Sequence, residues 1–180
     1  MGILSLLTVA SLPAYKGTRV FVVMGSTGCG KSTVGQALAH RIEALFVEGD
    51  DHHTPENKEK MASGTPLSDA DRWPWLSHLS GTLRSVDGPV VLSCSALKKQ
   101  YRQFITDKVG EPVLFVYMHG SKETLAKRLS ERQGHFMNTT LLDSQLATLE
   151  IPDSTEFSIQ ISIDQSVENI MDELSHALGF

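Results

Sequence analysis

A three-layer α/β domain, with five parallel strands in one sheet and helices on both faces, is what this sequence predicts from three observations. Short apolar runs rich in Val, Leu and Ile alternate along the chain with longer amphipathic stretches, the pattern of parallel strands buried on both sides by crossover helices. The first run, Val20-Phe21-Val22-Val23-Met24, feeds a glycine turn, Gly25-Ser26-Thr27-Gly28-Cys29-Gly30-Lys31-Ser32, that opens a helical stretch. The length, 180 residues, suits one well-buried core and is short for two.

The elements follow in order. Residues 1–17 precede the first strand. Met1 to Leu12 is apolar but has no basic segment before it and is too short to span a bilayer, and Leu6 stands where a myristoylation signal wants Ser or Thr. An extra helical turn or a poorly ordered tail is the expectation there, with a cleaved targeting segment the open alternative. Residues 18–180 then form a single domain. Strands are expected near 19–24, 45–48, 89–94, 112–118 and 158–163, where β-branched and apolar residues cluster between turn signals. Helices are expected over 31–43, 56–62, 71–86, 97–107, 121–133, 139–149 and 166–178, with Asp71-Arg72 and Ser121-Lys122-Glu123-Thr124 as openings. No internal repeat or low-complexity tract interrupts this order. Ligands of such a sheet gather at the carboxyl ends of its strands.

Composition narrows the partners. The net charge is −5 and no basic stretch is long enough to track a phosphate backbone, so nucleic acid is not expected, and nothing marks a membrane partner. Cys29 and Cys94 lie far apart without metal-ligand spacing, which suits a reducing, cytoplasmic setting and argues against a disulfide scaffold or zinc site.

Residues 25–32 match G-x-x-x-x-G-K-[ST] without interruption. After a strand and before a helix, that pattern presents successive backbone N–H groups to the phosphates of a nucleoside triphosphate. Gly25, Ser26, Thr27, Gly28, Cys29, Gly30, Lys31 and Ser32 therefore form the expected ATP site, and Thr33 sits beside it in the helix. Amides from Thr27 to Ser32 would cradle the α- and β-phosphates, Lys31 would reach the β- and γ-phosphates, and the Ser32 hydroxyl would bind Mg²⁺. The three glycines are expected to spare the phosphates a clash with Cβ. Cys29 is either a small tolerated residue or, at a helix N-terminus, an oxidation-sensitive thiol.

A second cluster, Glu48-Gly49-Asp50-Asp51-His52-His53, ends the second strand. Two acids at i and i+2 on a strand share a face. Glu48 is then expected to hold the metal through water and Asp50 to take the proton of an attacking hydroxyl, the alternative being an ordinary polar loop. No Asn-Lys-x-Asp guanine motif occurs, and the third strand ends Val91-Leu92-Ser93-Cys94-Ser95 without the Asp of motor ATPases. A small-molecule kinase, which needs an acceptor pocket, a base and mobile cations, fits better.

Longer blocks make this specific. Gly49-Asp50-Asp51-His52-His53 and the run from Asn57 through Gly64-Thr65-Pro66-Leu67 and Asp71-Arg72-Trp73-Pro74-Trp75-Leu76 resemble the signature of the gluconate kinases, P-loop small-molecule kinases related to shikimate kinase. Cys94-Ser95-Ala96-Leu97-Lys98-Lys99-Gln100-Tyr101-Arg102, Arg132-Gln133-Gly134-His135-Phe136 and Ser144-Gln145-Leu146-Ala147-Thr148-Leu149-Glu150 are similar to further blocks in the same order, from about residue 19 to the C-terminus. The resemblance implies a P-loop kinase fold with a small lid, near residues 128–140 here. It also implies ATP and Mg²⁺ as cofactors, a homodimer, and phosphorylation of D-gluconate at its 6-hydroxyl.

A sugar acid carries a carboxylate and several hydroxyls, so its pocket calls for Arg or Lys among hydrogen-bonding side chains. His53, Lys60, Arg72, Arg102 and His135 are the expected substrate-binding residues, with Asp50 directing the reacting hydroxyl. For Lys60 and Arg102 a solvated helix face is the competing reading. Arg128 and Arg132, spaced i, i+4 on one helix, are expected to deliver guanidinium groups to the phosphates alongside Lys31, or else to form a basic surface stripe with Lys127. Trp73, Trp75 and Leu76 either pack the acceptor-side helices or wall the sugar. Glu48 departs from the Asp usual at that point of the family pattern, and Asp51-His52 stand where apolar or aromatic residues are common. Shikimate or another hydroxylated acid as acceptor, and a nucleotide-binding module without turnover, are the rival functions.

Overall fold

The computed structural model describes residues 17–131 and 139–180. The N-terminal tail, Arg132, His135 and most of the expected lid lie outside the described residues. Five strands, β1 (Val20–Met24), β2 (Leu45–Glu48), β3 (Val90–Ser93), β4 (Val113–His119) and β5 (Ser158–Ser162), form one parallel sheet in the order β2-β3-β1-β4-β5.

Alternation along each strand divides the core in two. Val20, Val22 and Met24 of β1, with Val113, Phe115 and Tyr117 of β4, face one side, and Phe21 and Val23, with Leu114, Val116 and Met118, face the other. The first side is covered by α3 (Asp69–Ser85) and α4 (Lys99–Val109), through Leu76, Leu79, Leu83, Tyr101 and Ile105. The second is covered by α1 (Lys31–Arg41) and α7 (Val167–Leu178), through Val34, Leu38, Ile170 and Leu174. Leu125 of α5 (Lys122–Ser130) and Leu142 of α6 (Thr139–Thr148) add to that face. Each of these large side chains contributes about 1.5–3 kcal/mol by leaving water, which explains why near-continuous apolar runs became strands buried on both sides. The three layers are those expected.

Element ends follow local chemistry. The third helix starts at Asp69, two residues before the expected opening, because Ser68 caps it and Asp71 reaches back to the Ser68 N–H in a reciprocal capping box. α2 (Pro55–Ala62) places Pro55 in its first turn behind a Thr54 cap. α1 stops at Arg41, since Glu43 turns to a φ of 53°. α5 is described to Ser130, and Arg132, expected to share a helical face with Arg128, lies outside the described residues.

β1 is central: the connection after it runs outward to β2 through α1, whereas the connection after β3 crosses β1 to reach β4 through α4 on the opposite face. The crevice at the carboxyl end of β1 is thus the topological switch point of the sheet. The glycine turn opens into that crevice.

Candidate active site

Gly25 has a φ of 145°, and a Cβ there would stand 2.6 Å from the Met118 carbonyl oxygen. At Gly28, φ 84°, a Cβ would meet Leu129 at 2.9 Å and the Leu125 carbonyl at 3.0 Å. Side chains at these two positions are therefore excluded by the protein itself, against β4 and α5, and not only by a phosphate as the sequence suggested. The same packing brings Arg128 of α5 to the loop, with Nη1 3.7 Å from the place a Gly30 Cβ would take. Arg128 also donates to the carbonyl of Ile163, in the loop after β5. Lys31 curls over its own loop, Nζ donating to the Ser26 carbonyl at 3.1 Å. Cys29 is fully buried in the core on the α1 side, so it packs the turn and is not a surface thiol.

The opposite wall comes from a short element that sequence did not foresee. β2 ends at Glu48, and Gly49–His52 wind into a 3₁₀ turn. Gly49 packs so tightly that a Cβ would stand 2.3 Å from the Ser93 carbonyl oxygen, and its own carbonyl accepts a 2.9 Å hydrogen bond from Nε1 of Trp75. Asp50 is therefore not a strand residue sharing a face with Glu48. The turn projects it separately, its side chain 70% exposed, onto the cavity wall. Glu48 stays half-buried at the strand end and does not line the cavity.

One cavity joins the two walls. Thr27, Gly28, Gly30, Lys31 and Ser32 line one side, and Asp50, His53, Arg72 and Trp75 the other, with Ser95, Leu141 and Gln145 between them. The charges around Cys94 agree with this placement. Burial pushes the Cys94 thiol up to about 12; Asp50 and Glu48 push the same way, while an Ala96 N–H and Lys31 oppose them. Both walls thus act on one strand-end sulfur, which is buried and takes no part in the site.

Arg72 lies in the first turns of α3 and donates to the Tyr101 hydroxyl at 3.3 Å; that hydroxyl in turn donates to Asp69. Lys98 completes the group through Asp69 at 2.9 Å. A guanidinium held this way on the cavity wall suits a carboxylate ligand. His53 stacks on Trp75 with ring centroids 3.9 Å apart and planes tilted by 19°. Burial, then the charges of Arg72 and Lys58, lower the His53 pKa to about 4.

That shift makes a prediction about stability. Between the ordinary value of 6.5 and about 4, the unfolded chain binds a proton that folded His53 refuses. The stabilisation is complete above that window and is lost as pH falls through it. The urea midpoint is expected to drop from pH 7 to pH 5, and His53→Gln to flatten that drop; an unchanged slope in the variant would deny His53 the effect.

Two expected substrate residues stand elsewhere. Arg102 is 1% exposed and lies outside the cavity, its Nε and Nη2 donating to Glu156 at 2.5 and 2.8 Å and Nη1 to the carbonyls of Ala96 and Leu97. Lys60 pairs with Asp71 at 2.8 Å, tying α2 to the start of α3. Together with the Ser68 hydrogen bonds, it holds the Asp71 carboxyl down at about 2. Neither position was a free helix cation. Thr33 is exposed on α1, beside the cavity lining.

Sequence reasoning gave no role to Gln145, yet its Oε1 accepts the Thr27 N–H at 2.6 Å and so docks α6 onto the phosphate loop. Trp73 packs edge-on against Tyr101, whereas Trp75 is both core and cavity wall, so the two tryptophans divide the readings open to them. Among the described residues no group of three or more His, Cys, Asp or Glu is placed to hold a metal.

The sequence model of the shikimate kinase family matches residues 27–178. A probable gluconokinase of Xenopus tropicalis is 43% identical over 172 residues, covering 86% of this chain and 90% of the relative. The gluconokinase of Gluconobacter oxydans is 45% identical over 159 residues, 87% of this chain and 89% of that one. The crystal structure of a gluconokinase from Sinorhizobium meliloti superposes with a TM-score of 0.83 at 44% identity, covering 89% of this chain and 91% of that chain. Likeness of this depth, over nearly the whole length and in a fold that sets a phosphate loop across one cavity from an acidic turn, makes the chain a member of the gluconokinase family of P-loop kinases.

Proposed function

We propose that this protein transfers the γ-phosphoryl group of ATP to the 6-hydroxyl of D-gluconate, releasing ADP and 6-phospho-D-gluconate. The observation that carries the reading is the facing of Lys31 and Asp50 across one cavity. Backbone amides from Gly28 to Ser32 surround the nucleotide's phosphates, the Thr27 N–H being held by Gln145, and Lys31 exchanges its Ser26 contact for the β- and γ-phosphates. Arg72 takes the gluconate carboxylate, and Asp50 takes the proton of the attacking hydroxyl. As the new O–P bond forms, the bond between the γ-phosphorus and the bridging oxygen breaks, and its electron pair leaves on ADP. Arg128 neutralises charge from the α5 side. The lid of residues 128–140, with Arg132 and His135, belongs to this proposal.

Magnesium fits the residues present. The Ser32 hydroxyl and phosphate oxygens are hard donors, Glu48, set back at the strand end, would hold the ion through water, and Mg²⁺ in kinases is held by few protein ligands plus the nucleotide. Ser93, the register partner of Glu48, has a buried Oγ with no hydrogen-bond partner among the described residues, an orphaned polar atom suited to a hydrated cation nearby. When bound, the ion would neutralise charge on the transferring phosphoryl group.

No helix among the described residues is long and apolar enough to cross a membrane. The free, buried cysteines support a reducing compartment, and cytoplasm is the proposed location. The homodimer is proposed from the family likeness, and light scattering tests it.

Coupled ADP release is the direct test of the activity. Turnover is expected with ATP, Mg²⁺ and gluconate, with only background when gluconate is omitted and poor use of shikimate. Preference for shikimate would move the protein to the rival acceptor, and no acceptor dependence with any sugar acid would favour a module without turnover.

A further inference from the structure

Asn57 is 4% exposed and lies behind the cavity wall, not among its lining residues. Its Nδ2 stands 3.0 Å from the backbone carbonyl oxygen of Asp71 and 3.4 Å from Nδ1 of His53. A carbonyl oxygen only accepts, so the carboxamide atom facing Asp71 must be the NH₂ nitrogen. The second hydrogen of that nitrogen is the one available to Nδ1. A ring nitrogen that receives an N–H must carry a lone pair, which leaves the proton of a neutral imidazole on Nε2.

The Nε2 of His53 lies 4.0 Å from Oδ1 of Asp50. That span is too long for a direct hydrogen bond. It suits an oxygen about 2.8 Å from each atom. A hydroxyl is the group that both accepts from an N–H and donates to a carboxylate.

We propose that Asn57 is a positioning residue that locks His53 as the Nε2–H tautomer, so that His53 and Asp50 form a donor–acceptor seat for one substrate hydroxyl. The inference rests on the gluconate kinase reading and adds how the reacting alcohol is aimed. With Nε2–H as donor, Asp50 remains the acceptor, and the hydroxyl proton is turned toward the group that takes it. Stacking on Trp75 fixes the ring plane, and the Asn57 N–H then selects the tautomer. The carboxylate of a sugar acid cannot fill this seat, because it has no proton to give Asp50; that end goes to Arg72. The low His53 pKa agrees with a neutral ring throughout the physiological range.

The test begins with the wild-type chain without substrate. Long-range ¹H–¹⁵N correlation of histidine side chains, with His53 assigned by its absence in His53→Gln, is expected to show the neutral Nε2–H form from about pH 6 to 8. An Nδ1–H form or an imidazolium would overturn the proposal. Kinetics give the second arm. Asn57→Asp replaces the donor with an acceptor opposite Nδ1, and is expected to raise the KM for gluconate or lower kcat by about tenfold while the KM for ATP stays unchanged. His53→Gln, which keeps a donor near Nε2, is expected to retain more activity than His53→Ala. Equal losses toward ATP and gluconate in Asn57→Asp, or equal activity of the two His53 variants, would count against the seat. Should the wild type fail to turn over gluconate, the functional reading fails, and the spectrum alone then decides for or against the tautomer lock.

Discussion

Replacing Asp50 with Asn is expected to lower kcat by about 10²–10⁴-fold, with nucleotide affinity almost unchanged. The substitution preserves size and removes only the capacity to take a proton at the cavity wall. Asp50 stands across the cavity from the phosphate loop, and none of the ATP-cradling amides depends on it. The expected size is that of base catalysis alone, because alignment and charge neutralisation by Lys31 and Arg128 survive the change. Single-turnover kinetics beside calorimetric titration of ATP separate the two quantities. Near-normal turnover in the variant would remove Asp50 from the mechanism, and a protein that only binds nucleotide would have no rate to lose.

Arg102→Ala is expected to cost about 3–5 kcal/mol of stability and to leave the KM for gluconate where it was. The guanidinium is buried and all of its contacts are internal: both carboxylate oxygens of Glu156 and two backbone carbonyls. Truncation strands the Glu156 carboxylate, 11% exposed, without its partner, and breaking one half of a buried pair costs more than the pair itself contributes. Arg102→Met with Glu156→Leu is expected to recover part of the loss, since an apolar pair leaves no uncompensated charge. Urea unfolding and gluconate kinetics on the same variants distinguish the roles. A raised KM with an unchanged midpoint would return Arg102 to the substrate site.

Arg102 shows where reading from sequence stops. A cation one turn into an amphipathic helix looks the same whether it faces solvent, ligand or a buried carboxylate, and Glu156 is remote in the chain. Lys60 and Asp71 repeat the lesson at shorter range. The 3₁₀ turn at Gly49–His52 was hidden for a different reason: its four residues carry no periodicity, and the contacts that hold it, the Ser93 carbonyl against Gly49 and the Trp75 indole on its carbonyl, are tertiary. Gln145 stood in a recognised block, but nothing in its neighbours points to the Thr27 amide it reaches. Arg72, His53 and Asp50 were legible as candidates because their residue types suit a sugar acid and their order matches a family. Their convergence was not.

The sequence by itself determined the three-layer class, the five strands and their approximate limits, the phosphate loop and the kinase family. Those properties reside in local periodicity, in turn chemistry and in the unbroken P-loop pattern, and each can be read within a window of a few residues to a few tens. Only the tertiary structure decided which polar side chains meet. It set Asp50 on a turn instead of a strand, buried Arg102 against Glu156, brought Arg128 beside Gly30 and aimed Asn57 at a single ring nitrogen. The physical reason is range: burial and backbone hydrogen bonding fix the elements from within, whereas a hydrogen bond acts over about 3 Å, so its partner is known only when the folded chain has brought distant residues together.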